Sequence, residues 1–309
     1  MATADRRKRD FLRVTDLSRE DLLALLERAA EWKLLGKDGP RPLERQTIGL
    51  VFEKASTRTR VSFHVAACQL GGDAMMLSPR DTQLGRGEPI RDTARVLGRY
   101  LDALVVRTFE HSKLEEMAHY AGVPVVNALT DSSHPCQLLA DLLTVSERFG
   151  ADSLTRGDLD IAWVGDGNNM ANSWIESALV LGFSLRIACP KGYDPDPQLV
   201  AKAGGKVRIV RSPAEAVSGA LVVNTDVWAS MGQEAEAEAR RRAFSGFIVD
   251  RDLLAKADPR AIVLHCLPAH RGEEISEEVL EGPQSAVFDQ AENRLHAQKA
   301  LLELLMAER

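Results

Sequence analysis

The sequence predicts an α/β protein of two domains, each a mostly parallel sheet flanked by helices, joined by interdomain helices. Three observations predict it. Short apolar runs of strand length recur along all 309 residues. Stretches with apolar residues at helical spacing separate them. The runs are continuous rather than alternating, as in strands covered on both faces. At this length two domains of ordinary size fit, and 45% hydrophobic content is enough for real cores.

In chain order, Ser18 followed by Asp21 ahead of LLALLERAAEWKLL fits a capping box that opens an amphipathic helix. After GKDGPRP, TIGLVFE is the first strand. From Thr57 to Leu70 the positions Val61, Phe63, Val65, Ala67, Cys68 and Leu70 fall at helical spacing until Gly71 and Gly72 stop the pattern. DAMML, ALVVRT and VPVVNAL are further strands, separated by helical TARVLGRYL and KLEEMAHYA. CQLLADLLTVSERFG reads as a helix, and ADSLTRGD after it as a border, which divides the chain into domains of about 1–150 and 151–309. The second domain repeats the scheme. DIAWVGD, SLRIACP, KVRIV, GALVVNTD, AIVLHCLP and SAVFDQ are its strands, with MANSWIESALVLG and EAEAEARRRAF helical between them.

Composition removes several function classes. With 45 acidic against 39 basic residues the net charge is -6, so no global positive field favours nucleic acid or an anionic membrane. Any anion site must be local. The basic start MATADRRKRD has no apolar segment behind it, and no uninterrupted apolar stretch reaches roughly 18 residues; a cytoplasmic location is the expectation. Cys68, Cys136, Cys189 and Cys266 lie far apart without CxxC spacing, which suggests free thiols rather than disulfides or a zinc site.

The stretch FEKASTRTR concentrates cations and hydroxyls where a strand ends and a helix begins. Unpaired backbone N–H groups and the positive end of the helix dipole converge there, so an anion would be held at that turn. Arg58 adds a planar fork suited to phosphate, and Ser56, Thr57 and Thr59 can donate to the remaining oxygens. One Ser and one Arg would describe an ordinary capped helix start; three hydroxyls interleaved with two arginines favour phosphate. The GxxxxGK[ST] pattern is absent.

With its context, FEKASTRTR resembles the SxRTR phosphate motif of the aspartate/ornithine carbamoyltransferase family. VVRTFEH with Arg107, HPCQLLADLLT with His134 and Gln137, and the pair DVWASMG and HCLPAHRG follow in the order of the family's ornithine pattern, as does the C-terminal AENRLHAQKA. The resemblance implies an enzyme that joins carbamoyl phosphate to L-ornithine, giving citrulline and phosphate, with no metal or organic cofactor. It assigns carbamoyl phosphate binding to Ser56, Thr57, Arg58, Thr59, Gln83, Arg107, His134, Gln137, Cys266, Leu267 and Arg294. Ornithine binding falls to Asn169, Asp226, Ser230 and Met231, and catalysis to Cys266, Arg107 and His134. It also implies a C-terminal helix, about 291–309, packing back on the first domain, and a homo-oligomer, a trimer or a multiple of trimers, in which the loop of Gln83 reaches a neighbouring subunit's site.

Singly, several of these residues have plainer readings. Arg107 could be a surface charge, His134 a loop histidine, Asp226 a helix cap, Met231 core packing and Cys266 inert packing. Their joint occurrence in order makes those readings poor explanations. The main rival is a nicotinamide enzyme, because GDGNNMANS joins a strand to a helix. However, Gly165 and Gly167 lack a third glycine at the required step, and SLRIACP ends in Cys189 and Pro190 without an acidic residue for a ribose. Asn169 is taken as the amide that holds the amino-acid substrate, with Asn168 as the alternative. An aspartate acceptor would want an extra cation that DVWASMG and HCLP do not offer, while putrescine and N-acylornithine remain alternative amines. A non-enzymatic sensor could keep the phosphate loop alone; residues for a second substrate speak against it.

Overall fold

The computed structural model describes residues 8–78, 87–230 and 234–307. Gln83 and Met231 lie outside these described residues. Strands β1 (Thr47–Phe52), β2 (Asp73–Leu77), β3 (Ala103–Arg107) and β4 (Val125–Leu129) form a sheet in the order β2-β1-β3-β4. Every pair in it is parallel. All five residues of β3 are buried, as its unbroken apolar run requires, whereas β2 at the edge leaves Met75 and Met76 exposed.

Helices α1 (Arg19–Leu35), α2 (Thr57–Gln69), α3 (Ile90–Leu97) and α4 (His111–Ala121) accompany this sheet. The Ser18 hydroxyl accepts the Asp21 N–H at 3.0 Å, capping α1. Leu22, Leu25, Leu26, Ala29 and Trp32 bury one face of it, each large side chain contributing on the order of 1.5–3 kcal/mol. α3 stops sooner than TARVLGRYL predicts. At Gly98 the chain passes so close to the Ala121 carbonyl that a Cβ would lie 1.6 Å from its oxygen.

Helix α5 (Pro135–Phe149) leads to β5 (Asp160–Val164), α6 (Asn169–Leu181), β6 (Ser184–Ala188), α7 (Pro197–Ala203), β7 (Val207–Val210), α8 (Pro213–Val217) and β8 (Val222–Thr225). The short helices α9 (Ala237–Ala243) and α10 (Arg251–Leu254) precede β9 (Ile262–His265), and α11 (Glu277–Leu280) and α12 (Val287–Met306) close the chain. The second sheet, again all parallel, runs β7-β6-β5-β8-β9. Its core includes Phe244, stacked on Trp228 at 5.7 Å and edge-on to Tyr193 at 4.8 Å.

SAVFDQ is not a strand. Ser285 makes a single bridge to Val263 and α12 begins at Val287. Val287, Gln290, Arg294, Ala297 and Leu301 are all buried, a spacing of three and four that fits one helix face and not a period of two. Close contacts divide the chain into one unit that runs to Cys136 and resumes at Leu295, and a second from Gln137 to Arg294. The division thus falls inside α5 and inside α12, where the sequence suggests a border near 150. Within the first unit, Glu303 of α12 accepts from Trp32 and Arg28 of α1 at 2.7 Å each, and Lys299 donates to the Gly36 carbonyl at 2.7 Å.

The turn after β5 depends on close backbone approach. A Cβ on Gly167 would meet the Pro195 nitrogen at 2.2 Å and the Tyr193 oxygen at 2.5 Å, and backbone atoms cannot rotate away. Gly167→Ala is expected to lower the unfolding free energy in urea by about 3 kcal/mol or to prevent folding. Gly205→Ala, with nothing within 4 Å of the added methyl, is the control and should fall within about 0.5 kcal/mol of the parent.

Candidate active site

In the first unit the strand order reverses between β1 and β3, so their carboxyl ends border the crevice where ligands bind in open α/β sheets. The turn Ser56–Thr59 follows β1, and Arg107 is the last residue of β3. Ser56 caps α2, its hydroxyl accepting the Thr59 N–H at 3.3 Å. No acidic side chain occupies the first turn of this helix, which leaves its positive end to an incoming anion. Thr59 is buried, Ser56 and Arg58 half-buried and Thr57 exposed.

Three loops are stitched together behind that turn. Glu53 N–H donates to the Arg107 carbonyl at 2.8 Å, and the Thr108 hydroxyl donates to the Glu53 carboxylate. Lys54 pairs with Asp131 and lies 4.3 Å from the Phe109 ring centroid. The Thr130 N–H donates to the Ser133 carbonyl at 2.9 Å, closing the turn that presents the buried His134 just before α5. The nearby His111 is pushed down to about 4 by burial, and its Nδ1 lies 3.0 Å from the Thr130 hydroxyl. It is a neutral support for the loop at neutral pH.

In the second unit the order reverses between β5 and β8. Beyond β5, Asn168 caps α6 with its side-chain oxygen accepting from Met170 and Ala171, and its amide donates to Asp226 Oδ2 at 3.2 Å. Asn168 therefore holds Asp226, while Asn169 begins the helix proper. Asp226 is buried beyond β8 and also accepts the Cys266 thiol on Oδ1 at 3.1 Å. Burial, and then the carboxylate of Asp226, holds the Cys266 thiol well above its ordinary pKa. Ser230 is half-buried at the end of the described segment. The loop carrying it is anchored at its base by the buried Arg240, which donates to the Trp228 carbonyl and to Asp166, each at 2.9 Å. Asp166 is pushed up to about 6, mainly by burial, with the Arg240 guanidinium opposing.

The loop after β9 carries Cys266 and Leu267, the latter at φ 58°. Leu267 N–H donates to His265 Nδ1 at 2.9 Å, so the ring proton sits on Nε2 and is donated to Glu274 Oε1 at 3.0 Å. His265 and Glu274 are fully buried. Sequence reasoning missed both, and an acidic side chain nine residues from its partner carries no local signal. Ligand atoms of Asp226, His265 and Cys266 lie within 4.8 Å of one another, as metal ligands would, but here they are engaged in these hydrogen bonds.

A second missed group lies on the facing sides of α5 and α12. Arg294 donates to Gln137 Oε1, whose Nε2 donates to Asp141 Oδ1 at 2.8 Å. The Gln290 amide donates to the same oxygen at 2.6 Å and accepts from the His265 backbone N–H at 2.9 Å. Asp141 is fully buried and pushed up to about 7, burial outweighing its hydrogen bonds and Arg294. A carboxylate four residues after Gln137 on an apolar helix face is the signal that could have found it.

Iodoacetamide at pH 8 is expected to alkylate the exposed Cys68 at least about tenfold faster than Cys266, followed by peptide mass spectrometry. Asp226→Asn should raise the Cys266 rate by removing the repelling charge. An unchanged rate would mean that burial alone protects the thiol.

Comparison with known proteins places this geometry in context. Residues 9–147 match the family model of the aspartate/ornithine carbamoyltransferase carbamoyl-P binding domain, and residues 157–305 that of the Asp/Orn binding domain. The chain is similar to the anabolic ornithine carbamoyltransferase of Pseudomonas aeruginosa, 56% identical over 300 residues covering 96% of this chain and 97% of that protein. The structure resembles that of ornithine carbamoyltransferase from Pyrococcus furiosus, with a TM-score of 0.91, 48% identity and 97% of each chain covered. It also resembles the anabolic ornithine carbamoyltransferase of Campylobacter jejuni, with a TM-score of 0.91, 42% identity, and 97% of this chain and 100% of that one covered.

Proposed function

This chain belongs to the aspartate/ornithine carbamoyltransferase family, and from that premise we propose that it transfers the carbamoyl group of carbamoyl phosphate to the δ-amine of L-ornithine, giving L-citrulline and phosphate. The observation that carries the choice of acceptor is the buried Asp226, which receives the Cys266 thiol at 3.1 Å and the Asn168 amide at 3.2 Å. A carboxylate with neutral donors around it recognises an ammonium or amine, and would repel the second carboxylate of aspartate.

Each unit supplies one half of the chemistry. Ser56, Thr57, Arg58 and Thr59 bind the phosphate on the α2 N-terminus, where fixed positive groups stabilise the charge that grows on the leaving oxygens. Arg107 and His134 serve the carbonyl oxygen, with Arg107 also reaching phosphate. In the other unit, Gln137, Leu267 and Arg294 hold the carbamoyl end. Asp226 Oδ2, on the Asn168 side, serves the α-ammonium, while Oδ1 and Cys266 orient the δ-amine; Asn169, Ser230 and Met231 complete the ornithine contacts. The δ-amine attacks unprotonated, and departing phosphate takes the surplus proton. Because its thiol is held protonated, Cys266 is a donor rather than a covalent nucleophile. Positioning of two substrates, together with the fixed positive groups around the leaving phosphate, accounts for most of the acceleration.

The Pseudomonas relative's description as anabolic supports the biosynthetic direction, towards arginine. No helix among the described residues is long and apolar enough to cross a membrane, which fits a cytoplasmic enzyme working without a membrane or nucleic-acid partner. The open edge strand β2, with Met75 and Met76 exposed, supports a subunit interface, and the assembly we propose is a homotrimer or a multiple of one. In that assembly Gln83 is supplied to a neighbouring subunit's carbamoyl phosphate site.

Citrulline formation with ornithine, putrescine, N-acetylornithine and aspartate offered side by side tests the reading. Ornithine should be the preferred acceptor, and preference for another amine would overturn the assignment. Arg58→Ala is expected to lower kcat/KM by at least about hundredfold, with loss of carbamoyl phosphate binding in calorimetry. Near-normal turnover would show the phosphate turn misassigned. Mixing Arg58→Ala and Gln83→Ala proteins under verified subunit exchange should regain activity, since some sites then combine both intact residues. Activity that stays at the sum of the two would place Gln83 within its own chain's site or outside any.

A further inference from the structure

Gln137 stands between two charges of opposite sign, and its amide has two nearly isosteric orientations. With its oxygen toward Arg294 and its nitrogen toward Asp141, both ends are satisfied. Reversed, the amide would set a donor against a guanidinium and an acceptor against a carboxylate, and both bonds would be lost inside the fold. Gln290 is fixed in the same way. Its nitrogen donates to Asp141 at 2.6 Å and its oxygen receives the His265 N–H at 2.9 Å. One carboxylate oxygen thus sets two amides, one beside Arg294 and the other on the backbone of the strand that leads into Cys266.

We propose that Asp141 is a positioning residue for carbamoyl transfer, its Oδ1 receiving the amides of Gln137 and Gln290 and so fixing the Gln137–Arg294 pair relative to the strand end that carries Cys266. The proposal rests on the transfer reading above and deepens it. Asp141 touches neither substrate in this account; it acts through Gln137 and Gln290. Its placement is not explained by stability alone. A buried carboxylate is costly to desolvate, and its Oδ2 has no hydrogen-bond partner among the described residues. Burial pushes its pKa up to about 7, which shows what holding an acceptor at this place costs. The same charge, together with Asp226, opposes ionisation of Cys266, so Asp141 also helps to keep that thiol a donor.

The test is a double-mutant cycle with citrulline formation as readout and assembly checked by sedimentation. Asp141→Leu removes the acceptor and is expected to lower kcat/KM for carbamoyl phosphate by about hundredfold, the scale of a misplaced reacting group. Asp141→Asn keeps an oxygen for both amides and should stay within about tenfold of the parent. In a Gln137→Leu background, adding Asp141→Leu should cost no more than about tenfold, clearly less than in the parent, because only the Gln290 contact is then left to lose. Full additivity in the cycle, an Asp141→Leu protein as active as the parent, or an Asp141→Asn protein as impaired as the Leu variant would each overturn the proposal. If Asp141→Leu fails to assemble, an exchange of polarity decides. Gln137→Glu sets two carboxylates together and should be severely impaired, whereas Gln137→Glu with Asp141→Asn restores a donor opposite an acceptor and should regain at least about tenfold. No regain would overturn the positioning role. A parent chain that forms no citrulline sinks the transfer reading and this proposal with it, whereas an active parent with an unaffected Asp141→Leu variant sinks the positioning role alone.

Discussion

Parallel pairing is the constraint on which the other features depend. In each sheet every strand points the same way, so the loops that follow the strands gather at one edge, and the reversal of strand order opens a crevice there. FEKASTRTR follows β1, VVRTFEH ends β3, and the Thr130–Ser133 turn after β4 presents His134. In the other unit GDGNN follows β5, DVWAS follows β8 and HCLP follows β9. Residues up to about a hundred positions apart in sequence, such as Asn168, Asp226 and Cys266, become neighbours because their strands are neighbours.

Local electrostatics then separates the chemistry of the two halves within a chain of net charge -6. The first unit collects cations at a helix start that carries no acidic side chain. The second buries carboxylates, Asp141, Asp166, Asp226 and Glu274, among neutral donors and two arginines. Burial first, and the charge of Asp226 after it, raises the proton affinity of Asp141, Asp166 and Cys266, an environment that suits amines and donors better than anions. Neither character could be inferred from net charge, because each rests on a few residues brought together by the fold.

Much of the candidate site is legible in the sequence because it is built from contiguous turns. Ser56 to Thr59, Asp226 and Cys266 each sit within a short motif whose strand-to-loop context the apolar runs already declare. The parts that escaped reading are those whose partners are distant. The sequence marks out Gln137 but not its support at Asp141, because the meaning of that carboxylate depends on Gln290 and Arg294 of another helix. Nothing local singles out His265 beside Cys266, since its hydrogen bond goes to a buried Glu274 beyond the turn. The apolar start of SAVFDQ suggests a strand, but Val287, Gln290 and Arg294 are buried at helical spacing, and the segment is the opening of a helix.

The sequence by itself determined the class of fold, most of its strands and the turn of hydroxyls and arginines at the start of α2. Each of these is a local property of spacing, of helix termini and of residues that share a turn. Only the tertiary structure decided which way the Gln137 and Gln290 amides point, which nitrogen of His265 carries the proton, and that Cys266 is a donor to Asp226. These are set by burial and by partners remote in sequence, where a hydrogen bond or a desolvated charge has no trace until the strands and helices have packed.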